Sequence, residues 1–202
     1  MNVGLVVFEM DINVVALENS KTQLAEYASI PNRFLVESVY DVALVGNLKK
    51  EFELVERTIA VPYMKDYDAI AGEHPTRWGT RFDLSNWRFF VALAAGRRVG
   101  GAAVASKAPG LELLQDRADV AVLWDIRVAP EARGKGIGSA LLRAAEAWTK
   151  ASGCPELSVE TQNINVPACK FYQRQGFVLV SANRLAYPAF PEEIQLLWNK
   201  VL

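Results

Sequence analysis

The joint Arg133-Gly134-Lys135-Gly136-Ile137-Gly138 constrains this chain more than any other stretch. Before it, Val120 to Val128 reads as a buried strand whose apolar run is broken by Asp125 and Arg127. A short break, Ala129-Pro130-Glu131-Ala132, separates that strand from the joint. After it, Ile137, Leu141, Leu142, Ala145 and Trp148 share one broad face of a helix from Ile137 to Ala151, stopped by Gly153-Cys154-Pro155. A strand-to-helix turn with three glycines lets backbone come close to a ligand, because glycine has no Cβ. The helix start adds unpaired N–H donors and the positive end of its dipole. Arg133 and Lys135 bring mobile positive charge to the same spot. The joint reads as a pyrophosphate cradle.

It is neither Gly-x-x-x-x-Gly-Lys-Ser/Thr nor Gly-x-Gly-x-x-Gly, so a Walker A loop and a dinucleotide fingerprint are both set aside. The 202 residues, with no repeats, low-complexity tract or evident linker, point to one domain over residues 1–202. A formal net charge of −1 gives no basic field for nucleic acid. No apolar run nears the ~20 residues that span a bilayer, and no secretory leader pattern opens the chain, so a cytoplasmic protein without a membrane partner is expected. Two cysteines, Cys154 and Cys169, make neither a disulfide framework nor a zinc site. The single histidine, His74, reads as a surface-loop residue, and having only one removes most zinc sites and histidine-based triads. No metal is expected.

Along the chain, Val3 to Phe8 is short and apolar, and Val14 to Tyr27 has loose helical spacing interrupted at Asn19-Ser20. Phe34 to Val42 and Phe52 to Ile59 read as strands around a Gly46-Asn47 turn, the second ended by Val61-Pro62. Residues 62–86 are irregular, as a cover or a substrate-facing loop would be. Trp87 to Ala94 and Val99 to Ser106 form a hairpin through Ala95-Gly96-Arg97. Leu157 to Thr161 is a short strand. Asn165 caps a helix reaching about Gln175, with Pro167 in its first turn. Gly176-Phe177 leads into Val178 to Ser181, and Ile194 to Lys200 is expected as a last strand whose exposed edge allows a homodimer as readily as a monomer.

Two motifs now stand in order: Asp125 through Gly138, with Arg133, Gly136 and Gly138 as Arg/Gln-x-x-Gly-x-Gly/Ala, and Asn165-Val166-Pro167-Ala168-Cys169-Lys170-Phe171-Tyr172 with Gly176-Phe177. Together they resemble the GNAT N-acetyltransferases over about residues 87–200. Val159-Glu160-Thr161-Gln162 with Asn165 to Cys169, and the softer matches Phe34 to Asp41 and Pro62 to Tyr67, are similar to the streptothricin acetyltransferases. The chain departs from them at Trp124, where a carboxylate is expected, and in residues 68–86.

The resemblance implies an α/β fold, with a mixed, mostly antiparallel sheet flanked by helices and splayed between the strands ending at Val128 and Thr161. Residues 1–60 would be an N-terminal elaboration and 87–200 the acetyl-CoA-binding core. Acetyl-CoA would be the co-substrate. Backbone of Ile126, Arg127 and Val128 would meet the pantetheine arm, and Arg133, Gly134, Lys135, Gly136, Ile137, Gly138 and Ser139 the pyrophosphate. Asn165 would touch the arm or simply cap its helix.

Tyr172 would be the acid at the leaving thiolate, since a phenol of pKa ~10 can donate there. Asp125 and Glu160, on the strands flanking the gap, are candidate bases, or groups that attract a cation. Asp66, Tyr67, Asp68 and Glu73 would line the acceptor entrance. Cys169 is either an acyl-carrying nucleophile or a buried small side chain. The expected reaction is acetyl transfer to a primary amine of a small molecule, streptothricin-like, by direct attack in a ternary complex. A protein, peptide or polyamine acceptor, or a non-catalytic acetyl-CoA sensor, would be the alternatives.

Overall fold

Apolar side chains at nearly every position of Trp87–Ala94 and Arg97–Ser106 require cover on both faces, and the fold supplies it. The structure, a computed structural model, describes residues 12–17, 20–45, 51–114 and 117–202. Val3 to Phe8 and the Gly46-Asn47 turn lie outside the described residues.

The elements run β1 (Ile12–Leu17), α1 (Lys21–Ala28), β2 (Arg33–Val45), β3 (Glu51–Asp66), α2 (Pro75–Arg81), β4 (Trp87–Ala94) and β5 (Arg97–Ser106). Then follow β6 (Val120–Val128), α3 (Ile137–Ala151), β7 (Glu156–Gln162), α4 (Val166–Arg174), β8 (Val178–Asn183) and β9 (Gln195–Val201). One sheet has seven strands in the order β1-β4-β5-β6-β7-β9-β8, and β2 and β3 form a separate ribbon. All sheet neighbours are antiparallel except β6 and β7. This is the mixed, mostly antiparallel sheet flanked by helices that the sequence leads one to expect.

Period-two alternation divides the core into two. Phe90, Ala92, Ala102 and Val104 face α3 and α4, meeting Leu141, Leu142 and Tyr172. Trp87, Phe89, Val91, Ala103 and Ala105 face α1 and α2, meeting Tyr27 and Trp78. Tyr27 lies so close to β5 that a Cβ on Gly101 would sit 2.5 Å from its ring, so only glycine fits there.

Four expectations need correction. Val14 to Tyr27 is not one helix. Ile12–Leu17 pairs antiparallel with β4, and Ser20 then caps α1 by accepting the Gln23 N–H at 3.2 Å. Strand β3 does not end at Pro62 but runs to Asp66. Its register with β2 jumps from Ser38↔Thr58 to Val36↔Tyr63, so Pro62 falls in a bulge where no ladder donor is needed. On α3, Thr149 is fully buried with its hydroxyl on the Ala145 carbonyl at 2.8 Å, while Trp148 is only partly covered. Finally, β9 presents no free edge, because it lies between β7 and β8; among the described residues the sheet's edges are β1 and β8.

Candidate active site

The parallel pairing of β6 and β7 stops at Leu123↔Val159. Past that point β6 continues beside β5 alone and β7 beside β9 alone, so the two strands diverge. Trp124 is an extra residue in β6: Leu123 pairs with Val104 and Asp125 with Ala103, leaving it unmatched. Before this bulge Ala121 and Leu123 face α3 and α4; after it Ile126 and Val128 do. Asp125 and Arg127 are thereby turned to the α1 side, where Tyr27 waits.

The divergence opens a cavity of about 660 Å³, walled by both strands, by residues 67–82, by Gly110–Leu113 and by the β8–β9 loop. Asn32, Tyr67, Asp68, Glu73, Asp125, Glu160, Asn165 and Tyr172 all line it. Asp66 does not reach the wall; its Oδ1 accepts the Asp68 N–H at 3.0 Å. His74 sits outside the cavity at the start of α2, its Nδ1 2.8 Å from Thr76 Oγ1.

The five carboxylates on the wall, Asp68, Glu73, Asp125, Glu160 and Glu193, are not equivalent. Asp125 receives four hydrogen bonds. Arg127 Nε at 2.8 Å and the Tyr27 hydroxyl reach Oδ2; Asn32 Nδ2 at 2.8 Å and Arg127 Nη2 at 3.2 Å reach Oδ1. Arg127 also donates to Asp68 at 3.1 Å and to the Ile30 carbonyl at 2.9 Å. Glu73 pairs with Arg81 at 2.6 Å, and Glu193 with the buried Lys65, which also lies 3.8 Å from the Phe190 ring centroid.

Glu160 has no cationic partner among the described residues. It accepts instead from the Tyr187 hydroxyl, from Gln195 Nε2 at 2.7 Å and from Gln162 Nε2 at 3.3 Å. Burial pushes its carboxyl above the usual carboxylate range, and the Tyr187 and Gln195 hydrogen bonds partly oppose that rise. Gln162 carries the network onward, accepting from Tyr67, whose hydroxyl lies 3.4 Å from Asn165 Nδ2.

Tyr172 presents its ring between Phe171 and Phe177, with centroids 5.2 and 5.3 Å away. Its hydroxyl makes no hydrogen bond among the described residues. Burial raises its pKa, so the phenol keeps its proton at any physiological pH. Cys169 is buried away from the cavity wall, with Thr161 Oγ1 at 3.4 Å. Burial pushes its thiol up to about 11, which leaves almost no thiolate to act as a nucleophile.

Beyond the end of β6, in the turn before α3 and outside the cavity lining, Gly134 and Gly136 hold φ of 74° and 80°, the left-handed region that disfavours other residues. Gly136 starts α3, and no side chain caps that helix. Ile137 is buried in the core and Gly138 packs toward Phe171, whose ring carbons lie 3.5 and 3.6 Å from where a Cβ would be. Lys135 Nζ rests on the Glu131 carbonyl at 3.0 Å, and Ser139 accepts from Gln175 at 3.2 Å. Arg133 spans from the Val128 carbonyl at 3.1 Å to the Arg33 carbonyl at 2.6 Å. Asn165 both caps α4, accepting the Ala168 N–H at 3.2 Å, and lines the cavity.

An acyl-CoA fits these features. An uncapped helix start behind two left-handed glycines offers N–H groups to a pyrophosphate. The outer edge of β6 from Asp125 to Val128, unpaired with β7, offers a ladder to an amide-bearing arm. Residues 55–177 match the model of the acetyltransferase (GNAT) family. The chain belongs to that family.

This GNAT chain is 30% identical over 172 residues to the streptothricin acetyltransferase of Escherichia coli, covering 84% of each protein. It is 40% identical over 80 residues to streptothricin acetyltransferase A of Bacillus subtilis (strain 168), covering 39% of this chain and 46% of that protein. In fold it is similar to a Bacillus anthracis protein solved with acetyl coenzyme A, at TM-score 0.76 and 23% identity, over 95% of this chain and 100% of that one. It is an acetyl-CoA-dependent N-acetyltransferase related to the streptothricin acetyltransferases.

Sequence reasoning missed Tyr187, Gln195 and the Lys65–Glu193 pair. Tyr187 stands 27 residues beyond Glu160 in the largely apolar loop Leu185-Ala186-Tyr187-Pro188-Ala189-Phe190, which no motif marks.

Proposed function

We propose that this GNAT enzyme acetylates a primary amine of a small molecule, streptothricin-like, by direct attack within a ternary complex. The observation that carries the reading is the state of Glu160: the one carboxylate on the cavity wall without a cationic partner among the described residues. The relatives named above support the acceptor class.

An alkylamine of pKa ~10.4 arrives protonated. Glu160 attracts it and takes its proton, aided by a raised pKa that brings the carboxylate nearer to neutrality. The freed nitrogen attacks the thioester carbonyl that acetyl-CoA supplies. Tyr172 gives its proton to the departing sulfur, water takes the second proton from the acylated nitrogen, and solvent restores both side chains. Asp125 is left a holding role, because its oxygens are already engaged by Arg127, Tyr27 and Asn32. Ile126 to Val128, Arg133 to Ser139 and Asn165 bind the CoA moiety. Cys169 stays a packed thiol.

Thiol release from acetyl-CoA, measured over streptothricin, lysine, lysyl peptides, polyamines and aminoglycosides, tests the reading. Turnover on streptothricin that falls at least a hundredfold in Glu160→Gln supports it. Preference for peptides or polyamines sinks the acceptor. Unchanged turnover in Glu160→Gln sinks the base.

A further inference from the structure

The segment that carries Tyr187 to Glu160 belongs to neither helix nor strand, and Arg184, Leu185 and Pro188 to Glu192 on it are exposed. Two consecutive turns shape it. The Phe190 N–H donates to the Tyr187 carbonyl and the Glu193 N–H to the Phe190 carbonyl, each at 2.9 Å. Tyr187, Phe190 and Glu193 are thereby linked through backbone. The β2–β3 ribbon, which is separate from the main sheet, holds this loop at both ends. Arg184 Nη2 donates to the Val42 carbonyl of β2 at 2.7 Å. At the other end Lys65 of β3 pairs with Glu193, the two side chains only 8% and 10% exposed, and lies 3.8 Å from the Phe190 ring centroid. An ion pair this buried adds little net stability over an apolar pair. It does fix register, because a shift of either partner leaves a buried charge uncompensated.

We propose that Lys65 and Glu193 are positioning residues for acetyl transfer, holding the β8–β9 loop so that the Tyr187 hydroxyl stays on Glu160. The proposal rests on the reading that Glu160 takes the amine's proton. Lys65 acts at a distance, through the two turns. If the pair is lost, the loop is free to shift, and Tyr187 withdraws with it. Glu160 then keeps Gln162 on its own strand and Gln195 on β9 as donors, with Glu73 and Tyr67 acting on it through space. One donor fewer, it binds its proton more readily.

The test follows the glutamate side-chain carboxyls of the full chain by ¹³C NMR against pH, the Glu160 signal being assigned by its loss in Glu160→Gln. Lys65→Met should raise the Glu160 titration by about one pH unit, the worth of a lost hydrogen bond to a charged group. The acidic limb of kcat/KM for thiol release should rise with it. Lys65→Met combined with Glu193→Leu buries no lone charge, so it should fold even where the single variant does not. It should show the same rise, since an apolar pair fills the space without fixing the register. Adding Lys65→Met to Tyr187→Phe should move the titration no further than Tyr187→Phe alone. An unmoved titration in either folded variant overturns the positioning role, as does a further rise on top of Tyr187→Phe. A Glu160 titration that moves while the acidic limb stays put sinks the base and leaves the positioning role standing.

Discussion

Tyr187 donates its hydroxyl hydrogen to Glu160 while accepting from Gln162 at 2.8 Å, so a loop between two antiparallel strands sets the charge state of a side chain on a third. That donor stabilises the ionised carboxylate against the burial that disfavours it. The other groups facing Glu160 are Gln162 on its own strand, Gln195 on β9 and, through space, Glu73 from the segment before α2. Tyr187→Phe should therefore raise the Glu160 pKa further. The acidic limb of the pH dependence of kcat/KM, which falls as Glu160 is protonated, should move to higher pH. A profile unmoved by the substitution would separate Glu160 from the acidic limb.

Tyr172→Phe removes the proton held for the leaving thiolate and nothing else that the described residues hydrogen-bond. Loss of a general acid costs a factor of roughly 10² to 10⁴ in rate. We expect kcat to drop by at least a hundredfold with acetyl-CoA affinity retained, read by stopped-flow thiol release and by calorimetry.

Asp125→Asn should act on stability before it acts on chemistry. It leaves Arg127, whose side chain is 1% exposed, with Asp68 as its remaining charged partner. Breaking a buried ion pair in this way costs about 3–5 kcal/mol. Urea unfolding should show that loss, and Asp125→Ala should show no less.

Glu160→Gln should do the opposite. The folded-state pKa of Glu160 lies above its unfolded value because burial penalises the charge. The folded form then binds more protons between the two values, so this group's contribution falls as pH rises through that window. At neutral pH the glutamine variant should melt higher than the parent, and the difference should vanish at pH values below the unfolded carboxyl's. Equal melting temperatures at both pH extremes would contradict the burial penalty.

Gly136→Ala tests the cradle. No heavy atom lies within 4 Å of the added Cβ, so the cost is the left-handed backbone alone, about 1–2 kcal/mol. Relief of that strain would turn the first N–H groups of α3. Acetyl-CoA binding should weaken by tenfold or more while amine binding is unchanged.

Much of the central architecture was legible because its signals are local. The β6–α3 joint, the Asn165 cap and the period of β4 and β5 each announce themselves within a dozen residues. The three catalytic candidates read from the sequence, Asp125, Glu160 and Tyr172, all line the cavity. What stayed hidden is non-local. The chemistry of Asp125 depends on Tyr27 and Asn32, nearly a hundred residues earlier, and neither carries any mark of that role in sequence. The continuation of β3 past Pro62 depends on a bulge that only the pairing with β2 creates. Strand order likewise placed β9 inside the sheet, where its sequence alone could not.

The unmatched Trp124 has a consequence for chain length rather than for composition. Replacing it changes a wall of the cavity, whereas removing it would leave Leu123 opposite Val104 and Asp125 opposite Ala103 as successive pairs of an unbroken ladder. Asp125 and Arg127 would keep their place beside Tyr27, and Ile126 and Val128 theirs under α3, because plain alternation from Leu123 then puts them there. At this position the strand's phase survives one letter fewer, while the cavity would lose its indole.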